Sequence, residues 1–295
     1  MDNVTDKWCQ IVLLGLLYAI SGCTQVAFMA ANFPTHFTDM TVVHDQAYGS
    51  DHSQKLDLYF PSDSKGKLFE VIVFLYGGRW THGSKEAYRF VGVTLAERGF
   101  LVVIPDYRKY PQVRFPAFVK DGAKALVWVA DHIAEFHGNP GRIHLVGHSA
   151  GAHIGALLAA DQRYLADEGN DRSRTIMDFT GLAGPYAFTP DEPDLEDMFG
   201  PPSNYPNMQV PTFIDGSQPP MLLLYGDRDR TVKYANLEKL IRRITERGGC
   251  VQSRIYQGAD HTDLIGALSW WNPQQVSVIH DMITFFEGSR WVASP

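Results

Sequence analysis

The chain has 295 residues, of which 45% are hydrophobic and 20% charged, with a net charge of −7. That length and balance suit one or two globular domains with a sizeable core and exclude a low-complexity or disordered protein. An acidic balance with both signs interspersed argues against nucleic acid as a partner, because phosphate binding needs a basic face.

The run Ile11–Ile20 is apolar. It is too short to cross a bilayer, which takes about 20 apolar residues, but it has the length of a signal-peptide core. It ends in Ile20-Ser21-Gly22-Cys23, which resembles a bacterial lipobox. That resemblance implies cleavage before Cys23 and a lipid on its sulfur. Residues 1–22 are therefore expected as a signal peptide, 23–38 as a tether and 39–290 as a single domain. The protein is expected at the bacterial cell envelope, lipid-anchored, periplasmic or secreted. The opening MDNVTDKW carries one lysine against two aspartates, so an uncleaved anchor or a packed N-terminal helix stands as the alternative, with the cytoplasm as the other location. Cys9, Cys23 and Cys250 lie far apart and lack metal-ligand spacing, so neither a disulfide framework nor a metal site is expected. Cys250 is expected to be a buried thiol.

From residue 40 short apolar runs alternate with helical patterns. MTVVHDQAY and QKLDLYF read as two strands joined by a turn at Gly49-Ser50-Asp51. FEVIVFLY (69–76) and FLVVIP (100–105) are nearly continuous apolar runs, as strands buried on both faces require. Residues 84–98 and 116–136 have helical periodicity. Asn139-Pro140-Gly141 reads as a turn, RIHLVG as a strand and 149–160 as a helix. FTGLAG, PPMLLLYG and VQSRIYQ read as further strands, with helices over 233–247 and 273–287. This alternation predicts a mostly parallel sheet of about eight strands with helices on both faces. The proline-rich stretch 185–218 is expected as a small lid or a long loop, and such loops in compact domains are usually functional.

Ser149 stands in Gly147-His148-Ser149-Ala150-Gly151, between a strand and a helix. A sharp strand-to-helix turn leaves room only for small neighbours and exposes the serine oxygen at the sheet's end. The helix N-terminus behind it favours developing negative charge. A serine hydroxyl needs a base. His148 is poorly placed to turn back on its neighbour, and His153 lies a turn along the helix, where it packs or caps. His261 in QGADHTDLI directly follows the last strand, at the same sheet edge as Ser149. Asp229 in YGDRDRTV lies far enough past its strand to reach the next loop and orient that histidine, with Asp227 as runner-up. The glycines of LYGGRW let the main chain pass close to Ser149 with its amides turned inward.

QKLDLYFP, LYGGRWTHGSK, PDYRKYPQVRFP, NPGRIHLVGHSAGAH, YGDRDRTV and GADHTDLI occur in that order over residues 54–287. Together they resemble the α/β-hydrolase serine esterases. GGRW and GHSAGAH are similar to the branch holding isoprenylcysteine methylesterases, kynurenine formamidases and small bacterial carboxylesterases. The resemblance implies Ser149 as nucleophile, Asp229 as acid and His261 as base. It implies Gly78, Arg79 and Ala150 as donors of oxyanion-hole amides, with no metal or organic cofactor. Tyr76 stands where many relatives have histidine. Arg79 stands where other branches have a third glycine, with its side chain directed to the acyl pocket or to solvent. Trp80, Trp270 and Trp271 are candidates to wall an apolar substrate pocket, or else pack in the core or on the surface. The expected activity is hydrolysis of small carboxylic esters. The alternatives are an arylformamidase, a feruloyl-type esterase, or a non-catalytic binding protein on the same scaffold.

Overall fold

Short, mostly apolar runs set down eight strands in one sheet. They are β1 (Val42–Ala47), β2 (Lys55–Tyr59), β3 (Phe69–Leu75), β4 (Leu101–Pro105), β5 (Gly138–His148), β6 (Asp178–Leu182), β7 (Met221–Gly226) and β8 (Val251–Tyr256), in the spatial order β1-β2-β4-β3-β5-β6-β7-β8. The computed structural model describes residues 26–62, 66, 68–270, 272 and 274–292. Cys9, Cys23 and Trp271, with the expectations attached to them, lie outside the described residues. β1–β2 and β2–β4 are antiparallel, and the remaining pairs are parallel. β4, β6 and β7 are buried along their whole length, matching the apolar runs of β4 and β7, while β6 buries Asp178 and Thr180 as well.

Helices cover the sheet: α1 (26–32), α2 (Arg89–Ala96), α3 (Ala117–His132), α4 (Ala150–Ala160), α5 (Arg163–Ala166), α6 (Arg172–Thr175), α7 (Pro193–Phe199), α8 (Tyr205–Met208), α9 (Ala235–Glu246), α10 (His261–Gly266) and α11 (Val278–Val292). α4 is apolar all round and every one of its residues is buried, as such a composition demands. Right-handed crossovers run from β3 to β4 toward one edge, and from β4 to β5 and β5 to β6 toward the other. Opposite directions place α2 on one face and α3 and α4 on the other. The chains leaving β3 and β5 therefore part, and a crevice opens at the C-terminal ends of these neighbouring strands. This is the α/β-hydrolase fold.

Several sequence expectations change. Asn139-Pro140-Gly141 lies inside β5, not in a turn before it. The register against β3 shifts there, and Asn139 Oδ1 accepts the Gly141 amide at 3.0 Å, so the turn signal marks an irregularity within a strand. The helix expected from 84 begins at Arg89, and the closing helix begins at Val278. Cys250 is exposed rather than buried, because it precedes the edge strand β8. The segment expected as a tether is helical over 26–32, continues as a 3₁₀ turn over Phe33–Phe37, and buries Thr35. Asn32 fastens it to α2. Its side chain donates to the Ala87 carbonyl and accepts the Phe90 amide, both at 2.8 Å.

A charged pair on neighbouring strands sits deep in the core. His144 on β5 meets Asp178 on β6 at 2.9 Å, with both side chains fully buried, and Glu70 lies 3.7 Å from its other nitrogen. Burial pulls the imidazolium pKa down, but the Asp178 and Glu70 carboxylates outweigh it and raise His144 to about 9.

Candidate active site

Ser149 is the single residue between β5 and α4. Its backbone is held at φ 54°, ψ −119°, left-handed geometry that a non-glycine residue adopts only under constraint. Two contacts fix it: its amide donates to the Leu182 carbonyl at 2.9 Å, and its carbonyl accepts the His153 amide at 3.1 Å. The flanking glycines are required by space. A methyl group on Gly147 would stand 2.5 Å from the Gly151 carbonyl oxygen, and one on Gly151 would stand 2.0 Å from that of Leu75.

The structure brings Ser149, His261 and Asp229 together. Ser149 Oγ lies 3.0 Å from His261 Nε2, and His261 Nδ1 lies 2.8 Å from Asp229 Oδ2. A carboxylate only accepts, so Nδ1 carries the proton toward Asp229 and leaves Nε2 free to accept the serine hydroxyl. Asp229 is held in turn. Its Oδ1 accepts the amides of Thr231 and Val232, each at 2.8 Å, and its side chain is fully buried. Asp227 faces elsewhere, and its carboxylate accepts the Gly258 amide at 2.7 Å, tying the acid loop to the loop that carries the base. His261 is the first residue of α10 rather than a loop residue. Asp260 caps that helix, accepting the Thr262 and Asp263 amides, while Asp263 reaches back to the Asp260 amide. The two aspartates that flank the histidine thus set the direction of its main chain.

Sequence reasoning passed over His148. Its ring centre lies 5.0 Å from that of His261, and its Nε2 donates to the His261 carbonyl at 3.3 Å. Burial, reinforced by the neighbouring imidazole of His261, lowers its pKa to about 3 and keeps the ring neutral. His153 behaves as a packing residue. It donates to the Met208 carbonyl at 2.7 Å, and burial lowers it to about 4.

The loop after β3 runs beside the serine. A methyl group on Gly77 would stand 3.0 Å from Ser149 Cβ and 2.9 Å from His148 Nδ1. Gly78, Arg79 and Trp80 follow with φ of 132°, 53° and 59°. For the two non-glycine residues this costs about 1–3 kcal/mol each. The surroundings that impose the geometry are visible. The Gly78 carbonyl accepts the amides of Thr81 and His82, at 2.9 and 3.0 Å. The Arg79 side chain lies partly exposed, paired with carboxylates. It binds Glu192 at 2.8 Å and Asp194 at 2.9 Å, at the start of α7. Tyr76 supports the loop from beneath. Its hydroxyl donates to Asp106 at 2.5 Å, and its ring stacks between Tyr88 and Tyr107. Ala150, the third expected amide donor, is the first residue of α4, where helix amides point outward unsatisfied.

Trp80 and Trp270 follow the packing alternative. Trp80 is 4% exposed and packs among Phe118, His153, Phe188 and Phe199, so it belongs to the core beneath the 185–218 segment rather than to an open wall. Trp270 is 58% exposed, and its indole N–H donates to the Ala30 carbonyl at 3.1 Å, so it lies on the surface beside α1. Residues 185–218 form neither a bare loop nor a separate domain. They contain α7, α8 and two 3₁₀ turns, joined to the body where Phe115 donates to the Met198 carbonyl and Ala187 to Asn236.

A strained serine at a strand-to-helix turn, a histidine after the last strand and a buried aspartate after the one before it, in that chain order, are the arrangement of the α/β-hydrolases. Within that class the chain belongs to the BD-FAE family, whose profile matches residues 56–244. It is similar to the isoprenylcysteine alpha-carbonyl methylesterase ICME of Arabidopsis thaliana, at 29% identity over 89% of this chain and 65% of that protein. It is also similar to esterase LipC of Mycobacterium tuberculosis, at 28% identity over 67% of this chain and 53% of the relative. The chain thus spans about two thirds or less of the length of these curated relatives. Its fold is shared with esterase B from Lactobacillus Rhamnosis (TM-score 0.77, 18% identity, 97% of this chain and 96% of that one). It is shared too with esterase 2 of Thermogutta terrifontis (TM-score 0.70, 23% identity, 84% and 94%).

Proposed function

We propose that the protein is a serine carboxylesterase acting on carboxylic esters through an acyl-enzyme on Ser149. The observation that carries the reading is the continuous relay from Ser149 Oγ to His261 Nε2, and from His261 Nδ1 to Asp229. His261 takes the serine proton as Oγ attacks the ester carbonyl. Asp229 fixes the tautomer and stabilises the imidazolium that forms. The amides of Gly78, Arg79 and Ala150 receive the oxyanion, each such donor contributing about 3 kcal/mol to the transition state. His261 then returns the proton to the leaving alcohol and activates water to release the acid. The family membership and the relatives named as esterases support the same reading.

The test is a panel of p-nitrophenyl esters from acetate to palmitate, with one feruloyl ester and one N-formyl aromatic amine. Ester turnover is expected, with Ser149→Ala lowering kcat by at least about 10⁴-fold and leaving circular dichroism unchanged. A fluorophosphonate is expected to label Ser149 in the folded protein. An unlabelled Ser149, or undiminished turnover by the alanine variant, overturns the assignment, and a preference for the formamide moves it to an arylformamidase. A lipid anchor on Cys23 at a bacterial envelope belongs to the same proposal, supported by the apolar run and Ile20-Ser21-Gly22-Cys23.

A further inference from the structure

We propose that the exposed apolar face of α1 and its 3₁₀ extension seats in the surface of a lipid bilayer. Val26, Met29, Phe33 and Phe37 are 65%, 72%, 63% and 76% exposed. Val26, Met29 and Phe33, three and four residues apart, lie on one side of α1, and in the 3₁₀ turn that follows the Phe37 ring meets that of Phe33, with centres 5.3 Å apart. The opposite side is used. Phe28 packs on Tyr88 and Phe90, Asn32 binds the start of α2, and Thr35 is buried, with its hydroxyl accepting from Arg89. The apolar face is therefore fixed in orientation by the fold.

The buried side of α1 is connected to the site. Tyr88, on which Phe28 packs, stacks on Tyr76 and is hydrogen-bonded to the main chain of Gly77, the residue set against Ser149. Trp270, exposed and bound to the Ala30 carbonyl, ends the short segment that begins with His261 and α10. α1 is thus joined through Phe28 to the residues that support the loop beside the nucleophile, and through the Ala30 carbonyl to the chain that follows α10.

Lipid is the occupant that fits. Residues 26–38 contain no Asp, Glu, Lys or Arg, so seating them in a headgroup–acyl boundary desolvates no charged side chain. An indole at the rim suits the same boundary. The chain reaches Val26 three residues after Cys23 and six after the apolar run Ile11–Ile20, so the stretch of sequence most suited to lipid leads directly into the face. One acyl chain alone binds membranes weakly and reversibly, and a second contact makes the attachment stable. The bilayer contact stands on this surface alone.

The test uses the full chain carrying Cys23→Ser, which removes acylation, and vesicles of phosphatidylethanolamine and phosphatidylglycerol. Against that parent, Met29→Ser/Phe33→Ser/Phe37→Ser is expected to lower the vesicle-bound to free ratio by at least about tenfold, with thermal unfolding unchanged because the three side chains are exposed. Brominated lipid is expected to quench fluorescence that Trp270→Phe removes. Unchanged partitioning of the triple variant overturns the proposal. So does an α1 whose amides exchange equally with and without vesicles, which assigns the cover to the chain's own residues 1–25, or a parent dimer that the triple variant dissolves, which assigns it to a second copy. Partitioning is read independently of turnover. Ser149→Ala binds vesicles as the parent does, and the triple variant hydrolyses soluble p-nitrophenyl acetate as the parent does.

Discussion

Between the serine and the base's main chain lies a second imidazole, His148, buried, neutral and bonded to the His261 carbonyl. It touches no reacting atom in the proposed mechanism and acts by positioning. His148→Ala is expected to lower kcat about 10- to 100-fold with KM within about twofold, the signature of a misaligned base. His148→Gln, which keeps a donor, should recover part of the loss. Because the His148 pKa is held near 3, neither variant should add or remove a limb of the pH–rate profile above pH 4. An unchanged kcat in His148→Ala would show the ring to be packing only. Ser149, Asp229 and His261 were legible in the sequence because each follows the C-terminal end of a strand, and a parallel sheet brings those ends to one edge. His148 was not, because its partner is a carbonyl 113 residues away, a distance that neither periodicity nor motif encodes.

At the scale of elements, the loop after β3 is clamped to α7 through Arg79. The arginine and both its carboxylate partners are more than a third exposed, so solvent screens the pairs and each contributes at most about 1 kcal/mol to stability. Their effect is on alignment. Glu192→Gln/Asp194→Asn is expected to lower global stability by less than about 1 kcal/mol in urea unfolding, while lowering ester turnover severalfold through the freed loop. Raising salt to 0.5 M in the parent should reproduce part of the activity loss. Equal turnover in the double variant would show the clamp to be incidental. The 185–218 segment was legible only as an interruption. Its prolines marked the break, but helices of four to seven residues are too short to be stable on propensity. Contacts such as Phe188 and Phe199 on Trp80 form them. The tether expected over 23–38 is helical in its described part, 26–37, for the same reason, since Asn32 and Thr35 find their partners at the start of α2.

Across the whole molecule, buried histidines set opposite pH limits. His148 and His153 are depressed to about 3 and 4. Below the ordinary histidine pKa of about 6.5 the unfolded chain takes up protons that the folded one does not, so stability falls as pH drops from there toward 3. His144 is raised to about 9. Its contribution is complete below about 6.5 and is lost as pH rises through 9. Thermal melting from pH 4 to 10 is expected to peak near neutrality and decline on both sides. His144→Phe should cost about 3–5 kcal/mol at pH 7, because it leaves Asp178 charged and buried without its partner. A melting temperature that rises from pH 7 to 10 in the parent would contradict the His144 assignment. The sheet itself was legible from alternating apolar and helical stretches, whereas the bulged start of β5 needed the neighbouring strand to reveal it. One feature of that architecture limits how the protein can vary. Only hydrogen atoms fit between Gly151 and Leu75, so the nucleophile's helix and the strand feeding the adjacent loop behave as a single rigid block. Mutational libraries aimed at new substrates can randomise the surrounding loops freely, but those that enlarge residue 151 shift the serine before they reshape anything a substrate would feel.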